Sequence, residues 1–383
     1  MIMRKRPIIL IVFILLLVGI GAGRFYWQQN EAATALPKES GTLAERPLAL
    51  NSKTYKQVIT IGAIGDILIH TRVYEDAKGE NENQYDFKKM LAPVKKMLQT
   101  PDFTIANQES IAAGSELGLS GYPTFNSPYE ISDALQDAGV DLVTLANNHS
   151  LDKGEKGILL SLDYYDQIDM PYVGMYKDEA DAADERILSI QGIKVGFLSY
   201  TYGTNGIPIP DGKDYLVNYL DENKIASDLK SIREKADIVL VNAHWGNEYE
   251  RSPSEEQRRL AQLMADHGAD IIIGHHPHVL QPIEWLKHEK GETLVVYSLG
   301  NFLSGQVQDY KDIGGMVTIK IEKTWNEEGS KTAVLDPNFQ PTYVTSSNEQ
   351  NYQVHPFEES TVFGSPKTDL EELTDFMLEP AEQ

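Results

Sequence analysis

The 383-residue chain contains no cysteine, and this absence excludes several kinds of chemistry. Disulfide bonds, thiolate metal ligands, cysteine nucleophiles and a lipidated N-terminal cysteine all require a thiol. A larger extracytoplasmic domain does not need disulfides, because it can bury a core that supports its fold. Any metal ligands must therefore come from carboxylates, amides and imidazoles.

Positive charge is scarce as well, since 34 lysines and arginines stand against 57 aspartates and glutamates. The resulting net charge of −23 argues against a nucleic acid or an anionic membrane surface as the partner of the main body. We therefore expect no nucleic-acid partner. The clustered cations Arg4, Lys5 and Arg6 stand near the N-terminus.

A hydrophobic segment follows these cations. Residues 8–18 are continuously apolar, and residues 25–27 are aromatic. Cations before such a run place the N-terminus in the cytoplasm, so residues 1–27 are predicted to be a signal anchor with 7–27 in membrane lipid. The expected location is the cell membrane, with a single pass and an extracytoplasmic body. A cleaved signal peptide is the alternative, because Ala22 and nearby glycines are small.

The rest of the chain divides into three parts by composition. Residues 28–56 are polar and predict a linker, while residues 57–345 alternate β-like and helical patterns and predict one domain. Strands interleaved with helical stretches of about 10 to 15 residues indicate an α/β fold with a largely parallel core. Residues 346–383 predict a peripheral acidic tail with one possible amphipathic helix at 369–378.

Six of the nine histidines lie in short polar clusters that follow apolar runs. In open α/β sheets, loops at the carboxyl ends of strands are where ligands bind. The carboxylate, amide and imidazole donors of these clusters suit one or two divalent metal ions, of which Mn, Fe, Zn and Mg are all possible. The clusters, which include one without histidine, are residues 66–70, 107–109, 147–149, 244–246 and 275–278.

The first two clusters also have plain structural interpretations. Asp66 after Gly65 fits an Asx turn or a helix cap as well as a metal ligand. His70 reaches the same metal if the residues between them form a helical turn. Glu109 fits a bridging carboxylate or a solvated loop acid, with Asn107 as the other candidate at that position.

The later clusters are more specific. Asn148 offers a hard oxygen ligand beside His149, which can act as an acid toward a substrate. Taken by itself, His244 fits a buried core histidine whose hydrogen bonds are satisfied. His276 and His278 form an H-x-H pair that can reach two metals from one extended segment. The remaining three histidines, His267, His288 and His355, are predicted at the surface.

Six stretches together resemble the capsule-synthesis protein CapA family, which is associated with poly-γ-glutamate. They are IGDILIH, ANQES, LANNHSLDKG, AHWGNEYE, GADIIIGHHPHVLQPIE and YSLGNF. The resemblance covers nearly all of the ordered body. It implies a fold similar to calcineurin-like metallophosphoesterases, a four-layer α/β/β/α sandwich with its site at one sheet edge. It also implies poly-γ-glutamate or a related surface polymer and membrane-bound polymer synthase subunits as partners.

The resemblance further implies roles for the clustered residues. Asp66 and His278 would bind one metal, and Glu109 would bridge to a second. That second metal would be bound by Asn148, His244 and His276, with His149 as general acid. Three departures from the metallophosphoesterase pattern accompany these roles: three residues separate Asp66 from His70, the usual Gly-Asp-x-x-Asp is Asn107-Gln-Glu109, and Ser150 stands where an acid is expected. Asp152 is the candidate to orient His149 instead.

Two functions from different classes remain open at the level of sequence. The first is a metal-dependent phosphoesterase-like ectodomain in polymer biosynthesis, and the second is a non-catalytic accessory that binds polymer or synthase. Metal-dependent cleavage of an amide or isopeptide bond in the polymer would use the same ligands.

Overall fold

The computed structural model describes residues 54–81, 84–327, 329–357 and 369–378. The predicted anchor at residues 1–27, and nearly all of the predicted linker, lie outside the described residues. None of the helices within the described ranges is long and apolar enough to cross a membrane.

Strands and helices alternate through the first two-thirds of the described chain, as the sequence pattern predicts. The strands are β1 (Tyr55–Leu68), β2 (Phe103–Gln108), β3 (Leu142–Thr144), β4 (Tyr172–Val173), β5 (Ile187–Ile190), β6 (Ile193–Thr201), β7 (Ile238–His244), β8 (Ile271–His275), β9 (Leu280–His288), β10 (Gly291–Leu299), β11 (Asn301–Ser304), β12 (Ile313–Asn326), β13 (Gly329–Val334), β14 (Asn338–Ser347) and β15 (Gln350–Pro356). The helices are α1 (Thr71–Asp76), α2 (Lys88–Leu91), α3 (Lys95–Leu98), α4 (Glu130–Ala138), α5 (Gly154–Gln167), α6 (Glu179–Ala183), α7 (Glu222–Arg233), α8 (Glu255–Asp266) and α9 (Leu370–Leu378), with 3-10 turns at Ala92–Val94, Ser115–Leu117 and Asp214–Leu216.

The strands form two sheets, each of them mixed. One sheet has nine strands in the order β15-β14-β12-β1-β2-β3-β4, with β11 beside β1 and β13 beside β12. The other has six strands in the order β5-β6-β7-β8-β10-β9. The parallel part of the nine-stranded sheet runs from β1 through β2 and β3 to the edge strand β4, with β11 also parallel to β1. In the six-stranded sheet the parallel part is central, in β6-β7-β8-β10. This confirms the α/β class.

The expectation of a largely parallel core needs correction at the C-terminal end. Strands β12 to β15 pair antiparallel with their neighbours. The short connections among these four strands favour that arrangement, since parallel neighbours need a long crossover. Strand β14 continues to Ser347 and β15 adds an edge strand, so the sheet extends past residue 345, the predicted end of the domain. At its other end the sheet begins at Tyr55, two residues before the predicted start.

The described part of the predicted tail packs against the domain. Helix α9 confirms the amphipathic helix expected near residues 369–378, and its Leu373 and Met377 are fully buried. Both side chains belong to the same apolar cluster as residues of the two sheets. This helix is therefore part of the core and not a peripheral segment.

The buried apolar side chains form three clusters, because successive residues of a strand face opposite sides of its sheet. Ile59 and Ile61 of β1, with Leu240 of β7, lie in a cluster shared by the two sheets. Ile64 of β1 faces a second cluster with the helices between β1 and β6, while Val239 of β7 faces a third with α7 and α8. Successive strand residues point to opposite faces, so each sheet is covered by helices on one side and by the other sheet on its second side.

Two glycines allow close backbone approach where the central strands end. A Cβ at Gly65 would lie 2.0 Å from the carbonyl oxygen of Gly300, and a Cβ at Gly274 would lie 2.0 Å from that of Tyr297. No larger residue fits at either position without moving the backbone. These contacts bring the ends of β1 and β8 against the backbone of Gly300 and Tyr297. Two of the polar clusters lie at these strand ends.

Candidate metal centre

The polar clusters come together where central strands of both sheets end. Asp66 lies near the end of β1, and Glu109 directly follows β2. Asn148 and His149 lie in the turn after β3, and His244 is the last residue of β7. His276 and His278 follow β8. All seven of these side chains are buried.

Glu109, His276 and His278 form the centre of this group. One possible ligand atom from each lies within 4.8 Å of the others. Glu109 is fully buried, yet neither of its carboxylate oxygens accepts a hydrogen bond from the described residues. A buried carboxylate without a donor is costly, and a divalent cation would compensate that cost. The donor set, one carboxylate and two imidazoles, fits such an ion.

Asn148 and His244 lie on one side of this group. Nε2 of His244 is 2.9 Å from Oδ1 of Asn148 and 3.5 Å from Oε1 of Glu109. The rings of His244 and His276 are 4.9 Å apart, and Nδ1 of each is buried without a hydrogen-bond partner in the described chain. Nitrogen and oxygen donors are therefore available here for a second ion.

Asp66 lies on the other side and is surrounded by donors. Its Oδ2 is 3.1 Å from Nδ1 of His278 and 3.3 Å from the backbone nitrogen of His276. Its Oδ1 accepts a hydrogen bond of 2.8 Å from Nδ2 of Asn107 and lies 3.2 Å from Nδ1 of His275. Asn107 therefore holds Asp66, and Glu109 is the carboxylate left facing the imidazoles.

The two acids of the centre have pKa values shifted in opposite directions, and so do the imidazoles of His276 and His278. Burial raises the pKa of Glu109 to about 8. Burial alone would also raise the pKa of Asp66, but hydrogen bonding with His275 and His278 holds it well below its ordinary value. Although burial opposes it, the charge of Glu109 and the contact with Asp66 raise the pKa of His278 to about 9. Burial lowers the pKa of His276 well below its ordinary value, so that ring is neutral.

The H-x-H loop is strained. The backbone φ of His276 is +96° and that of His278 is +58°, a region that residues other than glycine seldom adopt. Two contacts hold this conformation: Nδ1 of His278 lies 3.1 Å from Oδ1 of Asn301, and the carbonyl of Pro277 accepts from the backbone of Tyr249. Strain supported in this way is typical of functional sites.

The turn after β3 presents His149 through its neighbours. Asn147 donates to the carbonyl of Gln108 and accepts from the backbone nitrogen of His149. Nδ1 of His149 lies 2.7 Å from Oδ2 of Asp152, which also accepts from the backbone of Phe125. The expected role of Asp152 in orienting His149 therefore has the required geometry, and the carboxylate fixes which ring nitrogen carries the proton.

His70 stands apart from the three-residue group at the centre. Its Nδ1 lies 3.1 Å from the carbonyl of Leu68 and accepts a hydrogen bond from the backbone nitrogen of Gly305. Its ring packs edge-on against Phe125, and it lines a groove of about 750 Å³ beside Arg72 and Glu349. The turn after Asp66 thus directs His70 into backbone contacts, where Nδ1 is not available as a ligand.

Two rim residues were not predicted from the sequence. Nδ2 of Asn205 lies 3.4 Å from Nδ1 of His149, and its Oδ1 accepts from Asn148. The ring of Tyr202 is 4.7 Å from that of His276. Both follow β6, so a polar and aromatic run after a strand was the available signal.

The three remaining histidines do not all lie at the surface. His267 is exposed and His288 is half-buried, but His355 is buried and stacks on Tyr343 in the nine-stranded sheet. The surface prediction for His355 was wrong because the sequence pattern did not reveal β15.

The fold and the site define an α/β protein with a buried candidate centre for divalent metal where its central strands end. The profile of the bacterial capsule synthesis protein PGA_cap matches residues 60–306. The chain belongs to this family. The resemblance noted in the sequence is thereby confirmed.

Two named relatives cover most of the chain. The capsule biosynthesis protein CapA of Bacillus anthracis is 31% identical over 312 residues, which are 73% of this chain and 71% of that protein. The PGA biosynthesis protein CapA of Bacillus subtilis (strain 168) is 30% identical over 273 residues, 66% of each chain. A protein of Mycobacterium tuberculosis named "Probable polyglutamine synthesis accessory protein" is 25% identical over 191 residues, 46% of this chain and 48% of that protein.

Similarity to solved structures is weaker. The calcineurin-like phosphoesterase YfkN from Bacillus subtilis has a TM-score of 0.41 and 17% identity, over 73% of this chain and 91% of that one. A 5'-nucleotidase precursor from Thermus thermophilus has a TM-score of 0.42 and 13% identity, over 74% of this chain and 54% of that one. Scores this low establish neither a shared fold nor a shared activity.

Proposed function

We propose that this protein is a membrane-anchored, extracytoplasmic hydrolase of metallophosphoesterase type that acts in the biosynthesis of poly-γ-glutamate capsule or a related surface polymer. The observation that carries the proposal is the fully buried carboxylate of Glu109, which accepts no hydrogen bond from the described residues and faces His276 and His278. The names of the two CapA relatives support the biological setting, and the cations and apolar run of the N-terminal sequence support the membrane anchor.

The side chains of the centre are suited to hold one or two divalent ions. Glu109, His276 and His278 would hold the first, with Asn148 and His244 available to a second. When bound, such an ion stabilises negative charge on a phosphoryl or carbonyl oxygen. Asp66 and Asn301 contact His278 at Nδ1, which orients the ring and leaves its Nε2 facing Glu109, 3.6 Å from Oε1.

His149 is the residue best placed to move a proton. Its Nδ1–H is held by Asp152, so in the imidazolium form the second proton is on Nε2, the atom that can pass it to a leaving oxygen. Asn205 contacts His149 and Asn148 together and thereby fixes the acid relative to a ligand. The ring is buried, which limits competition from water.

The proposal is tested by metal analysis of the purified protein together with hydrolysis assays. We expect stoichiometric Mn, Fe, Zn or Mg after purification or reconstitution, and metal-dependent cleavage of a generic phosphodiester or phosphomonoester. Removal of the metal by a chelator should abolish cleavage, and adding the metal back should restore it. Failure to bind any of the four ions at micromolar concentration would contradict the proposal.

A second candidate is a non-catalytic accessory that binds polymer or membrane-bound synthase subunits. The mycobacterial relative, whose name describes an accessory protein, favours it. Polymer production in cells separates the two candidates, because the hydrolase requires His149 whereas the accessory does not. Normal polymer production by a His149→Ala strain would favour the accessory.

A further inference from the structure

Two half-exposed tyrosines flank the buried histidines of the centre. The ring of Tyr202 lies 4.7 Å from that of His276, and the ring of Tyr249 lies 6.1 Å from that of His278. The two imidazoles are themselves 5.8 Å apart, so the four rings form a row with the tyrosines at its ends. Tyr202 is 48% exposed and Tyr249 is 46% exposed, whereas both histidines are buried.

The exposed position of Tyr249 is maintained against its backbone preference. Its φ is +67°, which is unfavourable for a residue with a bulky side chain. Its backbone nitrogen donates to the carbonyl of Pro277 at 2.7 Å, and its hydroxyl accepts from Gln306 at 3.3 Å. The fold therefore holds an aromatic ring partly in solvent beside the H-x-H loop, which indicates a binding role.

A cation stands beside this ring. Nζ of Lys311 lies 5.0 Å from the centre of the Tyr249 ring, and its side chain is 23% exposed. Its ion-pair partner is Asp309 at 3.5 Å, whose side chain is 85% exposed, so solvent screens that pair. The backbone of Lys311 is tied to the centre, because Asn301, which contacts His278, donates from Nδ2 to the Lys311 carbonyl at 2.8 Å.

We propose that Tyr202, Tyr249 and Lys311 form the substrate-recognition subsite at the mouth of the centre. The two rings flank the substrate, and Lys311 pairs with an anionic group on it, either a carboxylate or a phosphate. The inference rests on the proposed function, since it takes the buried centre as the place where the substrate is held. The scissile group would lie between Lys311 on the His278 side and His149 on the Asn205 side.

Glu248 gives the subsite an opposing charge. This residue is exposed and directly precedes Tyr249 in the chain. Its negative charge beside the Tyr249 position should repel an anion bound at Lys311, so the two residues should affect affinity in opposite directions.

Binding of two anions to the full-length chain tests the subsite. Phenyl phosphate and a γ-linked glutamate trimer serve as probes, and calorimetry gives the dissociation constant of each. We expect Lys311→Gln to raise the Kd of the recognised anion about fivefold and Glu248→Gln to lower it. The matched control is Lys287→Gln, since Lys287 is 85% exposed near the β9–β10 turn, at the opposite end of β10 from the centre, and should leave Kd unchanged.

The tyrosines are tested in the same assay. Tyr202→Ala and Tyr249→Ala should each weaken binding, while Tyr202→Phe and Tyr249→Phe should retain most of it because the ring is kept. Unchanged urea midpoints would show that the variants fold. Tighter binding of the trimer would identify a carboxylate ligand, and tighter binding of phenyl phosphate a phosphate ligand.

The outcomes separate this inference from the proposed function. If Lys311→Gln binds both probes as the wild type does, or if the wild type binds neither, the subsite is wrong. Hydrolysis of phosphoesters by the wild type would still support the proposed function in that case. Conversely, charge-dependent binding without any hydrolysis would support the subsite and contradict the hydrolase.

Discussion

Glu109 combines full burial with the absence of hydrogen bonds from the described residues. A carboxylate that is fully buried and lacks hydrogen-bond donors favours its neutral form, which is why its pKa rises to about 8. The same burial makes it a strong ligand once a cation is present, because no water competes for its oxygens. The residue is therefore a poor structural acid and a good candidate for a bridging or terminal ligand.

Proton release on metal uptake follows from these pKa values. Burial raises the pKa of Glu109 to about 8, and the charges of Glu109 and Asp66 raise the pKa of His278 to about 9, so this buried pair retains at least one proton at pH 7 in the metal-free protein. Binding a cation requires the pair to lose that proton, so apparent affinity should rise as pH increases from 7 to 9. Calorimetry of Zn²⁺ or Mn²⁺ binding in two buffers with different ionisation heats measures the protons released. Equal affinity at pH 6 and pH 9, without proton release, would contradict this prediction.

His149 and His276 should differ in what they lose on substitution. His149→Ala removes a proton donor that lies outside the three-residue ligand group, so metal content should remain nearly unchanged while hydrolysis falls about 10²- to 10⁴-fold. His276→Ala removes a candidate ligand, so metal content and hydrolysis should fall together. Metal analysis and steady-state rates on the same preparations measure both. Equal metal loss in the two variants would show that the roles are misassigned.

At the scale of elements, helix α9 shows how a polar C-terminal segment becomes part of the fold. Its Leu373 and Met377 are buried in the cluster shared by the two sheets, and Phe376 stacks on the guanidinium of Arg251, 3.9 Å from its ring centre. The ring of Tyr310 lies 4.1 Å from the same guanidinium. Arg251 thus joins the helix to the loop between β11 and β12.

Truncation of α9 side chains should therefore lower stability in proportion to their burial. Leu373→Ala should reduce the free energy of unfolding by about 2 to 4 kcal/mol, because a fully buried leucine is lost from the core. Leu378→Ala, at a position that is 39% exposed, should change it by less than about 1 kcal/mol. Urea titrations of both variants provide the comparison. Similar values for the two would mean that α9 is not part of the cooperative unit.

At the scale of the whole molecule, the N-terminal sequence predicts the orientation of the protein in the membrane. Cations at Arg4 to Arg6 precede the apolar run at residues 8–18, which predicts a cytoplasmic N-terminus and an external body. Protease added to intact protoplasts should therefore digest residues 55–378. A protected body would reverse the orientation, and a soluble mature form without residues 1–27 would indicate a cleaved signal.

Local sequence determined the elements that carry the site. The apolar run of β8 and the residues after it predicted a strand followed by an imidazole-rich loop, since alternation and chain breaks depend on near neighbours. Helices α7 and α8 agree with the helical stretches of about 10 to 15 residues expected between strands, for the same reason. The antiparallel strands β12 to β15 escaped prediction, because their pairing depends on residues beyond the local pattern.

Tertiary structure decided which clustered residues meet. Asp66 and His278 are 212 positions apart, and their contact depends on the packing of two sheets, which no spacing in the chain encodes. The same packing turned His70 toward the backbone of Leu68 and Gly305, and surrounded Asp66 with donors while leaving Glu109 without any among the described residues. Sequence therefore determined which donor types stand at the strand ends. Only the three-dimensional arrangement decided which of them face one another, because side-chain direction and burial are set by contacts between distant segments.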